Sequence, residues 1–133
     1  MDGDVTVETD FTTKPGVLEA LEPVGEAETL ARMLREGRVA TFNAHVREHG
    51  PGDLTNANLR MADLRGAELK GACLKGAYLR AADLRGQDLS TCDLEGASIG
   101  AAKISGVLFP ANLSASEISM SVTHGTRMRA RGA

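Results

Sequence analysis

A large apolar residue returns at every fifth position without a slip: Leu54, Leu59, Leu64, Leu69, Leu74, Leu79, Leu84, Leu89 and Leu94, then Ile99, Ile104 and Phe109. No regular element tolerates that spacing. On an α-helix five residues advance by about 500°, so the leucines would scatter around the axis and form no apolar stripe. On a flat strand side chains alternate, and an odd repeat would send successive leucines to opposite faces. The backbone must therefore bend once in every unit. Gly66, Gly71, Gly76, Gly86, Gly96 and Gly106 hold the fifth place of many units and supply the permissive backbone that a corner wants. Two positions before each large residue stands a small one, at Ala57, Ala62, Ala67, Ala72, Ala77, Ala82, Ala97 and Ala102, with Gly52, Gln87, Cys92 and Val107 as exceptions. One large and one small inward position per unit predicts a narrow, filled interior.

The runs Ala57-Asn58-Leu59 and Ala62-Asp63-Leu64 follow the pattern A-[DN]-L-x-x, and over residues 52–111 the chain resembles the pentapeptide-repeat family. What the resemblance implies is an all-β solenoid: a right-handed, four-sided (quadrilateral) β-helix with one unit per side and about three coils, stacked to roughly 14 Å at ~4.8 Å per coil. Departures from the pattern are Gln87 at a normally small site, Cys73, Tyr78 and Lys103 where Asp or Asn is usual, and a lost register after Phe109.

Composition fits one small domain. Aromatics make up 3% of the chain and tryptophan is absent, so the core must be aliphatic stacking. No apolar run is long enough to span a bilayer, and Met1-Asp2-Gly3-Asp4 lacks the basic and apolar regions of a signal peptide, which predicts a cytoplasmic protein with no membrane association. Cys73 points outward and Cys92 inward by their places in the unit, so no disulfide is expected.

A solenoid's ends need covering, because an open coil offers unpaired backbone and apolar side chains to other chains. Residues 26–50 read as a helical N-terminal cap. One helix over Glu26–Glu36 gathers Leu30, Met33 and Leu34 on one side and ends at Gly37; a second over Arg38–His49 presents Val39, Phe42 and Val46 and stops at Gly50-Pro51. Residues 51–113 form the β-helix. In the remaining segment, 114–133, Ser114 and Glu117 make a capping box that starts a helix closed by Gly125, followed by a basic tail with Arg127, Arg129 and Arg131. The alternation of Ile118, Met120 and Val122 leaves a strand open as a rival reading. Either element would shield Phe109 and the outward Leu108. Residues 1–25 carry Asp2, Asp4, Glu8, Asp10, Glu19 and Glu22 against Lys14, and read as a flexible acidic arm; Val5, Val7 and Phe11 also suit strand addition to a partner's sheet.

Catalytic signals are sparse. His45, Glu48 and His49 match the H-x-x-E-H pattern of inverted zinc peptidases, but a third ligand and a cleft are needed, and His124 belongs to the other end of the prism. A polar helix face near its C-terminus explains the run without metal. The reading is therefore non-enzymatic, with no catalytic, cofactor-binding or metal residues and no cofactor.

Charge separates what is left. Residues 51–113 hold Asp53, Asp63, Glu68, Asp83, Asp88, Asp93 and Glu95 against Arg60, Arg65, Lys70, Lys75, Arg80, Arg85 and Lys103, so the prism is neutral. Some pentapeptide-repeat proteins shield type II topoisomerases such as gyrase by imitating duplex DNA with a long acidic rod. A neutral prism of ~14 Å, about four base pairs, suits that alternative poorly, and balanced charge also disfavours nucleic-acid binding. With four units per coil, residues twenty apart stack. One side then pairs Asp63 and Arg65 with Asp83 and Arg85; another sets Lys75 beneath Glu95; a third holds Glu68, Lys70 and Asp88. The fourth shows Asn58, Arg60, Tyr78, Arg80, Ser98 and Gly100, with no acid and the only tyrosine. Tyrosine and arginine anchor interfaces more often than other residues, so this side is the expected binding surface for a protein partner, with Asn58, Arg60, Tyr78 and Arg80 as its contacts. An end cap additionally offers a second copy of the chain a place to pair.

Overall fold

The computed structural model describes residues 25–131, so the acidic arm expected over 1–25 lies outside the described residues except for Gly25. Three helices flank the coil: α1 (Glu26–Arg35) and α2 (Val39–His49) before it, α3 (Ala115–His124) after it. Among the described residues no helix is long and apolar enough to cross a membrane.

The coil keeps a register of twenty residues. Parallel bridges join Asp53 to Cys73 and Cys73 to Asp93, Asn58 to Tyr78 and Tyr78 to Ser98, Asp63 to Asp83 and Asp83 to Lys103, and Asp88 to Leu108. Twenty residues are four units of five, so each coil has four walls, here numbered one to four in that order. Every rung is a single bridged residue, and extended strands are absent among the described residues. The corners explain this. In each unit the leucine carbonyl accepts the N–H three residues on, as in Ala57 N to Leu54 O at 3.0 Å and Ala77 N to Leu74 O at 3.0 Å, so a turn interrupts every wall, and the coils are joined by a few bonds per wall, such as Leu59 N to Tyr78 O and Met61 N to Arg80 O, both at 2.8 Å. Most corners place a left-handed residue third in the turn. Glycine does so without steric cost, yet Met61, Ala81 and Ala101, stacked at the corner between walls two and three, adopt φ of 60°, 60° and 57°.

The asparagine or aspartate of the unit has a mechanical role. Its Oδ1 accepts the N–H two residues on, from Thr55 to Asp53 at 3.0 Å, Arg60 to Asn58 at 3.2 Å, Arg65 to Asp63 at 3.1 Å and Glu95 to Asp93 at 3.0 Å. Each such bond braces the corner that follows. Fully buried leucines fill the interior from Leu54 to Leu89, with Leu94 and Ile99 as closely covered and the alanines packed between them. The ladder weakens at its top: Ile104 and Phe109, expected in the core, are only half-buried, because no fourth coil stacks on these walls. Leu108, expected to be shielded by the C-terminal element, remains 59% exposed.

Side chains from the flanking helices take the place of a missing coil below. Arg35 donates to Asn58 O at 2.6 Å, and Asn43 both donates to Gly66 O at 3.0 Å and accepts from Glu68 N at 2.8 Å. Leu30, Leu34 and Phe42 are buried beneath the first coil. Gly52 is the exception in the small column for this reason: a Cβ there would meet Leu30 Cδ1 at 3.3 Å and Phe42 Cε1 at 3.6 Å.

The upper end differs from expectation. Residues 115–124 are helix and not strand, with Ser114 Oγ accepting Glu117 N at 3.2 Å. Glu117 does not complete the capping box; its carboxylate takes Arg129 N at 2.9 Å instead. The basic tail folds back onto the coil: Arg127 bridges Ser98 antiparallel and Met128 is fully buried. Ser121, also buried, accepts Ile99 N at 2.9 Å and donates to Thr126 O at 2.6 Å, which pins α3 and the tail to the last coil.

Candidate interaction face

Wall two lacks the Asn or Asp brace at Tyr78, as wall one does at Cys73 and wall three at Lys103. An asparagine or aspartate there would brace the next corner, but a phenol cannot reach back to the Arg80 N–H, and no side chain does so among the described residues. In exchange the ring stands 39% exposed, with the Arg60 guanidinium 5.9 Å from its centroid. That distance lies within the reach of a cation–π attraction. Arg80 rises one rung above Arg60, its Nη1 close over Gly100, where a Cβ would meet it at 3.3 Å. Arg60, Arg80 and Arg127 are exposed, and none pairs with a carboxylate among the described residues. Met61, 75% exposed, closes the wall at its strained corner.

The upper part of this wall is not open. Ser98 is 5% exposed, and Gly100 packs against Gly125, whose Cα would lie 3.0 Å from an added Cβ. The accessible surface is therefore Asn58, Arg60, Tyr78 and Arg80 with Met61 and Arg127 added. Sequence reasoning overlooked both additions. Met61 carried a usable signal, as a large apolar residue at the outward corner place; Arg127 carried none, because its position depends on the chain doubling back.

On the other walls carboxylates find partners, although Lys70, Lys75 and Lys103 form no ion pair among the described residues. On wall three Arg65 binds Asp63 at 2.9 Å and Asp83 at 3.2 Å, and Arg85 binds Asp83 at 2.7 Å. The hydrogen-bonded Arg85 guanidinium holds the Asp83 carboxyl well below the usual carboxylate range, and Arg65 lowers Asp63 in the same way. Lys75 and Glu95 do not pair on wall one; Glu95 Oε1 accepts Ala130 N at 2.7 Å. On wall four Glu68 is claimed by Arg47 of α2, and the rung between Glu68 and Asp88 is missing. Gln87 fills that gap, its Nε2 donating to Leu64 O at 2.7 Å and to Ala67 O at 2.9 Å.

A family model for pentapeptide repeats, in eight copies, matches residues 53–86 and 72–109. The repeat segment belongs to the pentapeptide-repeat family. Comparison with curated proteins and with solved structures finds no match to the chain. In the pentapeptide segment Cys73 is half-exposed beside Thr55 Oγ1 at 3.1 Å, while Cys92 is buried and donates to Leu69 O at 3.0 Å; both are free thiols, and burial raises the Cys92 pKa. His45 and His49 stack on α2 with ring centroids 4.4 Å apart. Neither they nor Glu48 are joined by a third ligand: among the described residues no group of three His, Cys, Asp or Glu is placed to hold a metal.

Proposed function

We propose that this pentapeptide-repeat protein is a non-enzymatic binding or scaffold module that presents wall two of a right-handed quadrilateral β-helix to a protein partner. The observation that carries the reading is the Arg60 guanidinium over the exposed Tyr78 ring, on the one wall whose arginines lack carboxylate partners among the described residues. Tyr78 supplies a large, rigid contact at little conformational cost, and Arg60 and Arg80 offer planar forks for the partner's carboxylates. The coil supports this use because its rungs and filled interior hold those side chains at fixed spacing, so little ordering is left for the moment of binding.

The test compares proteins captured by the full chain with those captured by a Tyr78→Ala/Arg80→Ala variant and by a Lys75→Ala/Glu95→Ala variant of wall one. The reading expects a partner retained by the second variant and lost by the first. Identical capture by all three would remove wall two from consideration.

A further inference from the structure

We propose that two copies of the chain pair head to head about a two-fold axis, the exposed face of each α3 lying on the open last-coil edge of walls three and four of the other copy. This surface is separate from the face of wall two. Hydrogen bonding is the first argument. In the middle coil three N–H groups of walls three and four are taken by the coil above: Leu84 N by Lys103 O at 2.9 Å, Gly86 N by Ser105 O at 2.9 Å and Leu89 N by Leu108 O at 2.8 Å. One coil higher the same groups belong to Ile104, Gly106 and Phe109, and none of the three has a partner among the described residues. An unpaired edge of this kind is a template for another chain. Walls one and two are closed at the same level, where Gly96 N donates to Met128 O at 2.7 Å, Ile99 N to Ser121 Oγ at 2.9 Å and Ala101 N to Val122 O at 2.9 Å.

Shape is the second argument. α3 begins just beyond the end of wall four, and its closing Gly125 lies against Gly100, at the corner between walls two and three. The helix therefore crosses the top of the coil from corner to corner. The tail returns along walls two and one, where Arg127 bridges Ser98 and Glu95 Oε1 accepts Ala130 N at 2.7 Å. The end is thus a step, raised over walls one and two and low over walls three and four. A two-fold axis along the step sets the raised half of each copy on the low half of the other, and assembly stops at two. An extended peptide suits the edge less well, because walls three and four meet at the Gly106 corner, φ 73°, and a straight strand serves only one of them.

Composition is the third. Residues 104–123 hold a single charged side chain, Glu117, in a chain whose charged share is 25%. That carboxylate is already taken by Arg129. Leu108 and Met120 stand 59% and 48% exposed in this uncharged stretch. Charge depletion around exposed apolar side chains marks the core of an interface, and an isologous contact presents the same patch on both copies. On α3, Ile118, Ser121 and Val122 turn towards the coil, while Ser116, Ser119, Met120 and Thr123 share the opposite, exposed face. That face brings hydroxyls to the three open N–H groups, as Ser121 does to Ile99, and sets Met120 against Leu108.

Sedimentation equilibrium of the full chain tests the proposal. A solenoid end is smaller than the standard interface of about 800 Å² per partner, so dissociation on the order of micromolar is expected. Between about 1 and about 500 µM the mass should rise from one chain to two. A Leu108→Glu/Met120→Glu variant should stay at one chain throughout; both side chains are exposed, and an unchanged urea midpoint checks its fold. The Tyr78→Ala/Arg80→Ala variant should pair as the unchanged chain does. Amide exchange needs no variant: Ile104, Gly106 and Phe109 should exchange roughly ten-fold more slowly at the top of the concentration range than at the bottom, with Leu84, Gly86 and Leu89 unaltered. A single-chain mass at every concentration overturns the proposal. So does a dimer that the glutamates leave intact or that loss of Tyr78 and Arg80 abolishes, because either places the contact on another face. A mass that grows past two chains overturns the two-fold closure, and protection independent of concentration shows the edge to be covered within one chain.

Discussion

Walls two and three are neighbours on one coil, share a corner and draw on one interior, yet they spend their charges differently. On wall three Asp63 and Asp83 brace their corners and hold arginines, and only the top rung, Lys103, does neither among the described residues. On wall two the brace is given up at Tyr78, the arginines stay unpaired among the described residues, and the shared corner is built from Met61, Ala81 and Ala101 in a left-handed conformation. Each of those costs about 1 kcal/mol or more relative to relaxed backbone. A repeat that spreads stability evenly can leave one wall under-optimised because the leucines behind it hold the coil regardless.

The largest effect should therefore ignore the difference between walls. Leu79 and Leu84, both fully buried, stand behind walls two and three in the second coil. Leu79→Ala and Leu84→Ala should each cost about 2–5 kcal/mol in urea unfolding. A near-neutral result at either one would break the claim of a common interior.

Next comes the clasp that only wall two possesses. Ser121→Ala removes the acceptor of the buried Ile99 N–H and the donor to Thr126 O, at a cost of about 1–3 kcal/mol. Hydrogen exchange should locate the damage, with Ile99 and Met128 amides losing protection while Leu84 and Leu89 keep theirs. Uniform loss would mean that the tail has no separate hold on wall two.

Wall three should answer to pH where wall two does not. Asp83, 9% exposed, has its carboxyl lowered by Arg85, so its folded-state pKa lies below its unfolded one. Its contribution is present above the unfolded value of about 3.9 and is lost as pH falls towards the folded one. Asp83→Asn should lower the melting temperature at neutral pH, and the gap to the unchanged chain should narrow below about pH 4. A gap that stays constant down to strong acid would show that the ion pairs of wall three contribute nothing.

What the sequence made legible follows from which constraints were local. A period of five has one physical solution, a chain that bends at each unit, and the leucine positions follow from it. The twenty-residue register then puts Asn58 with Tyr78 and Arg60 with Arg80 without any coordinates. The ends were harder. Glu117 reads as the second half of a capping box, but Arg129, twelve positions on, competes for its carboxylate and takes it. Arg127 reads as a loose charge because nothing nearby in sequence reveals that the tail folds back beside Ser98. Half-burial of Ile104 and Phe109 had the same origin: their place in the unit is inward, but coverage depends on a coil that is not there.

The smallest predicted effect is the sharpest comparison of the two walls, because it converts one into the other. Tyr78→Asp gives wall two the residue type that wall three uses at Asp63 and Asp83. The new carboxylate can accept the Arg80 N–H, as Asp83 accepts that of Arg85 at 3.2 Å, and can pair with the Arg80 guanidinium. One hydrogen bond of this kind contributes about 0.5–1.5 kcal/mol, against the loss of an exposed cation–π contact of about 0.5–1 kcal/mol. Tyr78→Asp should therefore unfold at the same or slightly higher urea concentration than the unchanged chain, and clearly above Tyr78→Ala. Partner capture should fall to the level of the Tyr78→Ala/Arg80→Ala variant at the same time. Stability held or gained while binding is lost is the signature of a residue kept for recognition; a variant that loses both would return Tyr78 to a structural role and make the two walls equivalent.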